Sequence, residues 1–274
     1  MKIIIFTPKD HIYSNIITKE LISEFKNDIV MIVESDVLIP GKPFLRSIAK
    51  YISTAGIYYF ICQSVKQIFF KIVKNIIFDK SNIYFPYTRL AGKFKINVIK
   101  ENNINNSNFI NKINMKKPDL LISVYFRQIF GEEILGIPHK GSINIHPAPL
   151  PRYRGVSPIF WALVNGEKYS AVTIHYITAT IDGGNVISQK SIPICEDDSE
   201  HKIFIKCSLT GSKMLSQAIK DIKNSVAGGC PQQGESSYYS LPTKKAVREL
   251  KKRNKYFYKI RELFNGKTTL PDTL

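Results

Sequence analysis

Apolar and polar positions along the first half of this chain follow two different rhythms. KIIIF (residues 2–6) and IVMIVES (29–35) are short, nearly unbroken apolar runs of the kind that form strands buried on both faces. Between them, SNIITKELISEFKN carries its apolar residues at helical spacing, and Ser14 is the expected N-cap. INVIK (96–100) and DLLISVYF (119–126) read as two more strands, joined by an asparagine-rich connection that ends at Pro118. Strands alternating with helices predict an α/β fold: a mainly parallel sheet wound on both sides, with ligands bound beyond the carboxyl ends of its strands.

A third pattern begins near Ser142. In SINIH, after the turn residue Gly141, side chains two apart share a face, so Asn144 and His146 project together while Ile143 and Ile145 pack on the other side. Pro147, Pro149 and Pro151 then oppose both ladder pairing and helix, so the polar pair sits at the very end of a strand that opens into a stiff loop. SPIFWALVNGE reads as a helix that buries Phe160 and Trp161 and closes at Asn165-Gly166. AVTIHYI follows as a strand with Val172, Ile174 and Tyr176 on one face and Thr173 and His175 on the other. TATIDGGNVISQKSIPI gives a loop and a further strand, and a helix runs from after Ser199 to about Asn224, ended by AGG. From about Pro231 the chain looks like an extension: GESSYYSLPT is turn-rich and aromatic, and TKKAVRELKKRNKYFYKIRELF reads as a basic helix.

Charge changes this picture in one respect. Against 22 Asp and Glu stand 39 Lys and Arg, a formal net charge of +17, which favours anionic partners such as phosphates, nucleotides, a membrane surface or nucleic acid. Lysines are spread throughout the chain, so the excess by itself marks no site. Residues 44–80 set basic residues beside long apolar faces. The uncharged run Tyr51–Val65 is shorter than the ~20 residues a spanning helix needs. One or two amphipathic helices packed on the sheet are expected there, with a helix lying on a membrane surface as the second reading. The cysteines (Cys62, Cys195, Cys207, Cys230) form no C-x-x-C pair and no zinc spacing, and no metal site is expected. They read as ordinary thiols of a reducing compartment, and MKIIIFTPKD has too short an apolar run for a signal peptide, so the expected location is cytoplasmic.

GSINIHPAPLPRYRG, with PIFWALVNGE and AVTIHYITATIDGGNVISQ, resembles the formyltransferase family that uses 10-formyltetrahydrofolate, whose members formylate glycinamide ribonucleotide, methionyl-tRNA or amino sugars. The family signature is Asn-x-His, a proline-containing loop, and a later Asp followed by Thr-Gly or Gly-Gly. Asn144, His146 and Asp182-Gly183-Gly184 match it, while Pro149 stands where the family usually has leucine. The resemblance runs from residue 1 to about 225 and is strongest over 118–190. It implies a Rossmann-like formyltransferase fold, with a catalytic domain over 1–227 and a short basic C-terminal extension over 228–274.

The matched residues suit that chemistry. Moving a formyl group from a folate nitrogen to an amine passes through a tetrahedral oxyanion, to which the Asn144 amide can donate a hydrogen bond. His146 can handle protons near neutral pH. Asp182 can orient the imidazole and help relay the amine's proton, and His175 either steadies the Asp182 loop as a supporting residue or is only a satisfied strand histidine. No serine or cysteine is placed to act as a covalent nucleophile. By the same resemblance, Phe126, Arg127, Gln128 and Ile129 belong to the strand-end segment YFRQIF that lines the folate pocket. Gly183 and Gly184 belong to the other wall, where a flat ring can approach a backbone without side chains.

Three acceptors compete. The methionyl-tRNA enzyme carries a larger C-terminal barrel, whereas only about 50 residues follow the family core here, as in amino-sugar enzymes with short, variable extensions. The expected acceptor is therefore a nucleotide-linked amino sugar of surface-polysaccharide or O-antigen synthesis, such as a dTDP- or GDP-linked amino-deoxyhexose. Methionyl-tRNA or another small amine is the alternative within the family. A non-catalytic basic protein that binds membrane or nucleic acid is the alternative of another class. Arg152 and Arg154 are expected to pair with the diphosphate, with bracing of their own loop as the other reading, and Tyr153 or the Tyr238/Tyr239 pair to stack on the base. The expected partners are the folate and the sugar nucleotide, with membrane-surface contact through residues 44–80 and a homodimer as further candidates.

Overall fold

The computed structural model describes residues 1–266; residues 267–274, the end of the expected extension, lie outside the described residues. The chain opens with β1 (Ile3–Pro8), α1 (Ile12–Phe25) and β2 (Ile29–Ser35). It continues through α2 (Phe44–Ala55), α3 (Ile57–Ile76) and α4 (Tyr87–Lys93) to β3 (Asn97–Lys100), α5 (Ser107–Lys116), β4 (Leu120–Val124), α6 (Glu132–Leu135) and β5 (Ser142–His146). The two-residue β6 (Arg154–Gly155) and α7 (Pro158–Val164) precede an antiparallel pair, β7 (Tyr169–Tyr176) and β8 (Val186–Pro193). After them come α8 (Glu200–Lys223), β9 (Tyr238–Tyr239), α9 (Lys244–Lys252) and α10 (Ile260–Leu263).

The main sheet has the order β3-β2-β1-β4-β5-β7-β8. It is parallel from β3 to β5 and antiparallel beyond, the mainly parallel wound α/β sheet that the alternation predicts. Strand periodicity assigns its faces. Ile3 and Ile5 of β1 enter one core, with Ile122 of β4, Ile143 and Ile145 of β5, and side chains of α1, α7 and α8. Ile4 and Phe6 enter the other, with Met31 and Val33 of β2, Leu121 of β4, Phe109 and Ile113 of α5 and Ile134 of α6. No residue of β5 or β7 belongs to that second core. The face of β5 that carries Asn144 and His146 is thus left to loops, and a site can form there.

Several local expectations change. The first helix starts before Ser14, because His11 is its cap. The His11 Nδ1 accepts the Ser14 N–H at 3.3 Å, and the Ser14 hydroxyl donates back to the His11 carbonyl at 3.1 Å. The asparagine-rich connection contains α5: Asn106 caps it by accepting from the Asn108 N–H at 2.9 Å, and Phe109 and Ile113, four apart, are its buried side. The basic stretch expected as one helix breaks after Lys252. Asn254 takes a left-handed conformation (φ 53°), and the carbonyls of Tyr256 and Phe257 turn to accept the N–H groups of Glu200 and His201 at the start of α8. Residues 228–266 pack against the rest, β9 pairing with β6 and Val247, Leu250 and Phe257 joining the first core.

Residues 44–80 form the two amphipathic helices α2 and α3. No helix among the described residues is long and apolar enough to cross a membrane. A buried ion pair ties α3 to α8: Lys66 Nζ lies 3.2 Å from Glu200 Oε2, which also accepts from Gln63 at 3.0 Å. Both charges are almost wholly out of water, so neither can lose its partner cheaply. Lys66→Met should therefore lower the unfolding free energy by about 3–5 kcal/mol in urea titrations, and adding Glu200→Gln should restore most of it. A single variant within about 1 kcal/mol of the parent would show that this pair behaves like a surface one.

Candidate active site

β5 lies where the sheet changes direction. Ser123 of β4 pairs beside Asn144 in parallel, and on the other side His175 and Thr173 of antiparallel β7 oppose Asn144 and His146. Behind them, Ile145 is pressed by α8, whose Gly211 comes so close that a Cβ there would lie 2.4 Å from Ile145 Cδ1. The catalytic candidates therefore stand on a strand with no slack behind it.

Asp182 arrives from the loop after β7. Its Oδ2 accepts the Gly155 N–H at 2.9 Å and lies 3.6 Å from His146 Nδ1; its Oδ1 lies 3.7 Å from His175 Nε2 and 3.5 Å from Asn144 Nδ2. Hydrogen positions follow from the partners. The Tyr176 carbonyl can only accept, so His175 Nδ1 carries the hydrogen in that 2.8 Å contact, and its bare Nε2 accepts the Asn144 amide at 3.1 Å. By the same reasoning His146 donates Nε2–H to the Tyr153 carbonyl at 2.9 Å, and its Nδ1 faces Asp182. Burial pushes the His175 imidazole down to about 4, against the opposing pull of Asp182. It is neutral at pH 7, as its acceptor role requires.

Left-handed backbone gathers around the site: Tyr125 (φ 53°), Tyr153 (62°), Ser157 (54°) and Asp182 (48°). Each costs roughly 1–2 kcal/mol for a residue with a Cβ, and strain held at one place is a signature of function. These segments enclose a cavity of about 790 Å³, with Asn144, His146, His175 and Asp182 on one wall and side chains of α2 and α3, among them Tyr51 and Tyr59, on another.

Phe126, Arg127, Gln128 and Ile129 all line this cavity. The Gln128 side chain is a strut, donating to Ser35 Oγ and the Glu101 carbonyl and accepting the Ile104 N–H. Gly183 and Gly184 are required by the packing of their own loop. A Cβ on Gly184 would lie 1.9 Å from the Tyr176 carbonyl oxygen, and one on Gly183 2.6 Å from Thr180 Cγ2.

Arg152, Tyr153 and Arg154 also stand elsewhere than expected. Arg152 pairs with Glu167, and Tyr153 is buried, its hydroxyl donating to Glu167 at 2.7 Å. Arg154 donates to Gln232 Oε1 at 2.6 Å, and the Gln232 amide donates to the carbonyls of Asp182 (2.7 Å) and Gly184 (2.8 Å). Through Gln232, Arg154 thus braces the Asp182 loop, while Arg152 and Tyr153 are tied to Glu167. Tyr239 stacks on Tyr153 and Trp161, while Tyr238 reaches the cavity rim. The cations that do line the cavity are Lys9, Lys66, Lys71 and Arg127. Burial, and after it the charges of Arg127 and Lys66, hold the neighbouring His11 well below its ordinary value. Sequence reasoning missed the three lysines and Gln232. For α3 the available signal is the recurrence of Gln63, Lys66, Gln67 and Lys71 at helical spacing inside an apolar run; for Gln232 no local signal exists. Among the described residues no group of three or more His, Cys, Asp or Glu is placed to hold a metal ion.

Comparison with known proteins gives a consistent picture. The family described as formyl transferase matches residues 62–219, more than half of the chain. A bifunctional polymyxin resistance protein ArnA from Wigglesworthia glossinidia brevipalpis is 42 % identical over 135 residues, 49 % of this chain and 21 % of that protein. A methionyl-tRNA formyltransferase from Acetivibrio thermocellus is 32 % identical over 162 residues, 59 % of this chain and 52 % of that protein. The chain thus spans about half the length of this tRNA enzyme. Among solved structures, an N-formyltransferase from Helicobacter canadensis in complex with folinic acid and dTDP-3-aminofucose superposes with a TM-score of 0.54 at 21 % identity, covering 88 % of this chain and 71 % of that one. At that identity the likeness is one of fold.

The neutral state of His175 has a consequence for stability. The unfolded chain takes up this proton near pH 6.5 and the folded one only near pH 4, so stability present above pH 6.5 is lost as pH falls toward 4. Equilibrium unfolding from pH 7 to pH 4 should show a decline to which His175 contributes on the order of 2 kcal/mol, and His175→Gln should flatten that part of the curve. An unchanged slope in the variant would contradict the buried neutral state.

Proposed function

Given that the chain belongs to the formyl transferase family, we propose that it transfers a formyl group from 10-formyltetrahydrofolate to the amine of a nucleotide-linked amino sugar. The observation that carries this reading is one cavity of about 790 Å³ that has Asn144, His146 and Asp182 on one wall and the cations Lys9, Lys71 and Arg127 on others. Its size falls in the range of small-ligand sites, and its cations suit a diphosphate that must lie near the reacting amine. Arg127 is the side chain best suited to hold that diphosphate, since a guanidinium meets phosphate through two hydrogen bonds. The folate also fits. Ile129 and Ile181 line the cavity although each is about half exposed, and between them they offer an apolar slot for a flat ring. When bound, the folate supplies the formyl group.

The chain's own residues then have distinct tasks. One Asn144 amide hydrogen is committed to His175, and the other makes only a 3.5 Å contact with Asp182, which leaves it free to turn to a stronger acceptor such as a negative oxygen in the cavity. The acceptor amine must lose a proton as it takes the formyl group. With its Nδ1 unprotonated, His146 could receive it and return it to the folate nitrogen as that nitrogen's bond to the formyl carbon breaks, and the Asp182 carboxylate 3.6 Å away would stabilise the intervening imidazolium. His175 holds the Asn144 amide in place and takes no proton itself near neutral pH.

This reading puts the reaction in the cytoplasm, on the way to a surface polysaccharide. A second reading, methionyl-tRNA as acceptor, is favoured by the identity with the Acetivibrio enzyme. The amino-sugar reading is preferred because the segment after the core packs onto the catalytic loops, bracing Asp182 through Gln232. Turnover with dTDP- and GDP-linked amino-deoxyhexoses, glycinamide ribonucleotide and methionyl-tRNA, measured side by side, decides between them; preference for methionyl-tRNA would overturn the choice. His146→Asn and Asp182→Asn should each lose on the order of 100-fold or more in turnover while remaining folded. Arg127→Ala should mainly raise the KM for the sugar nucleotide, and an unchanged KM would remove it from the acceptor site.

A further inference from the structure

Residues 37–78 contain no Asp or Glu, and they include Lys42, Arg46, Lys50, Lys66, Lys71 and Lys74. Two of these cations are accounted for, Lys66 by Glu200 and Lys74 by Asp10. The other four make no ion pair among the described residues, and all four are exposed. On α3, Ile57, Ile61, Val65, Ile68, Ile72 and Ile76 recur at spacings of three and four, and each is between 39 and 66 % exposed. They form one apolar stripe along about 30 Å of helix, a face that a helix bound only to its own protein would bury or make polar. Leu45 and Phe78, each 77 % exposed, extend the apolar surface at either end of the segment. Cations from the tail border the stripe: Lys251 Nζ lies 3.4 Å from the centre of the Tyr58 ring, and the Lys244 side chain runs past Gly56.

From this we infer that α2 and α3 dock the protein on an anionic lipid surface. An apolar stripe edged by cations and free of carboxylates is the composition of a helix that lies in a headgroup layer, isoleucines in the acyl boundary and lysines among the anionic headgroups. Charge decides against a second copy of the chain as the occupant. A two-fold contact sets each patch against itself and would bring unpaired cations together with no carboxylate in residues 37–78 of either copy to offset them. Because Ile68 belongs both to the stripe and to the cavity lining, docking brings the cavity mouth close to the lipid surface. The inference does not depend on which amine is formylated.

The test is co-sedimentation of the full chain, without substrates, with phosphatidylcholine vesicles and with vesicles containing one quarter phosphatidylglycerol. Binding to the second at low salt, little to the first, and release in 0.5 M salt are expected. Ile61→Asp/Ile72→Asp should abolish binding while formyl transfer in solution stays at the parent rate, and Arg46→Glu and Lys50→Glu should each weaken it at least about fivefold. No binding to the anionic vesicles overturns the inference, as does equal binding to both. A dimer in sedimentation equilibrium that Ile61→Asp/Ile72→Asp converts to monomer would assign the stripe to a second copy instead. Loss of formyl transfer in that variant, with the fold intact, would equally count against a docking role separate from the site.

Discussion

One carboxylate holds the site together. Asp182 stands between two imidazoles, accepts the Gly155 N–H through the oxygen nearer His146, and has its own carbonyl held by Gln232. Strand β5, strand β7, the proline loop and the tail all meet at this residue. To reach it, the backbone at Asp182 adopts a left-handed turn, and Gly184 fits under the Tyr176 carbonyl where no side chain could. The local strain is sustained because partners from four segments fix it at once. Charge follows from the same geometry: burial outweighs the pull of the carboxylate at His175, which stays neutral.

Much of this was legible in the sequence, for a physical reason. Strand periodicity puts Asn144 and His146 on one face, and the prolines place them at a strand end, so the pair announces itself locally. The unbroken apolar runs likewise announce buried parallel strands, and β1, β2, β4 and β5 appear where they were expected. What was not legible depended on contacts distant in sequence. Arg154 was read as a phosphate ligand or as a brace of its own loop, and the sequence could not name its partner here, Gln232, which lies 78 residues away and carries no sign of that role. Gly183-Gly184 stands out in the sequence, but the packing against Thr180 and the Tyr176 carbonyl does not, since a glycine does not say what approaches it. The α5 helix was hidden by its asparagines, which prefer caps and loops, although Phe109 and Ile113 carry the helical spacing.

The cavity wall made by α2 and α3 shows a similar division. On α3, polar residues within the apolar run face the cavity, the apolar residues between them face both core and solvent, and one buried cation anchors that helix. Function and exposure thus coexist on one helix because its three faces have three different neighbours. Averaged over the segment, these faces give a composition that by itself distinguishes neither a core helix nor a surface one.

The Lys66–Glu200 pair also bears on how ligands come and go. Glu200 opens α8, whose first amides are satisfied by carbonyls of the tail, so α3, α8 and the tail form one mechanical unit. Swinging α3 away as a rigid flap would pull a buried ammonium from a buried carboxylate, which is too costly for every turnover. α2 has no such anchor: within it only Ser47 and Ala55 are buried, and a Pro-Gly-Lys-Pro segment precedes it. Of the two helices that wall the cavity, α3 is therefore fixed to α8 and the tail by a charge pair out of water, whereas α2 is held by few buried side chains and by no such pair among the described residues.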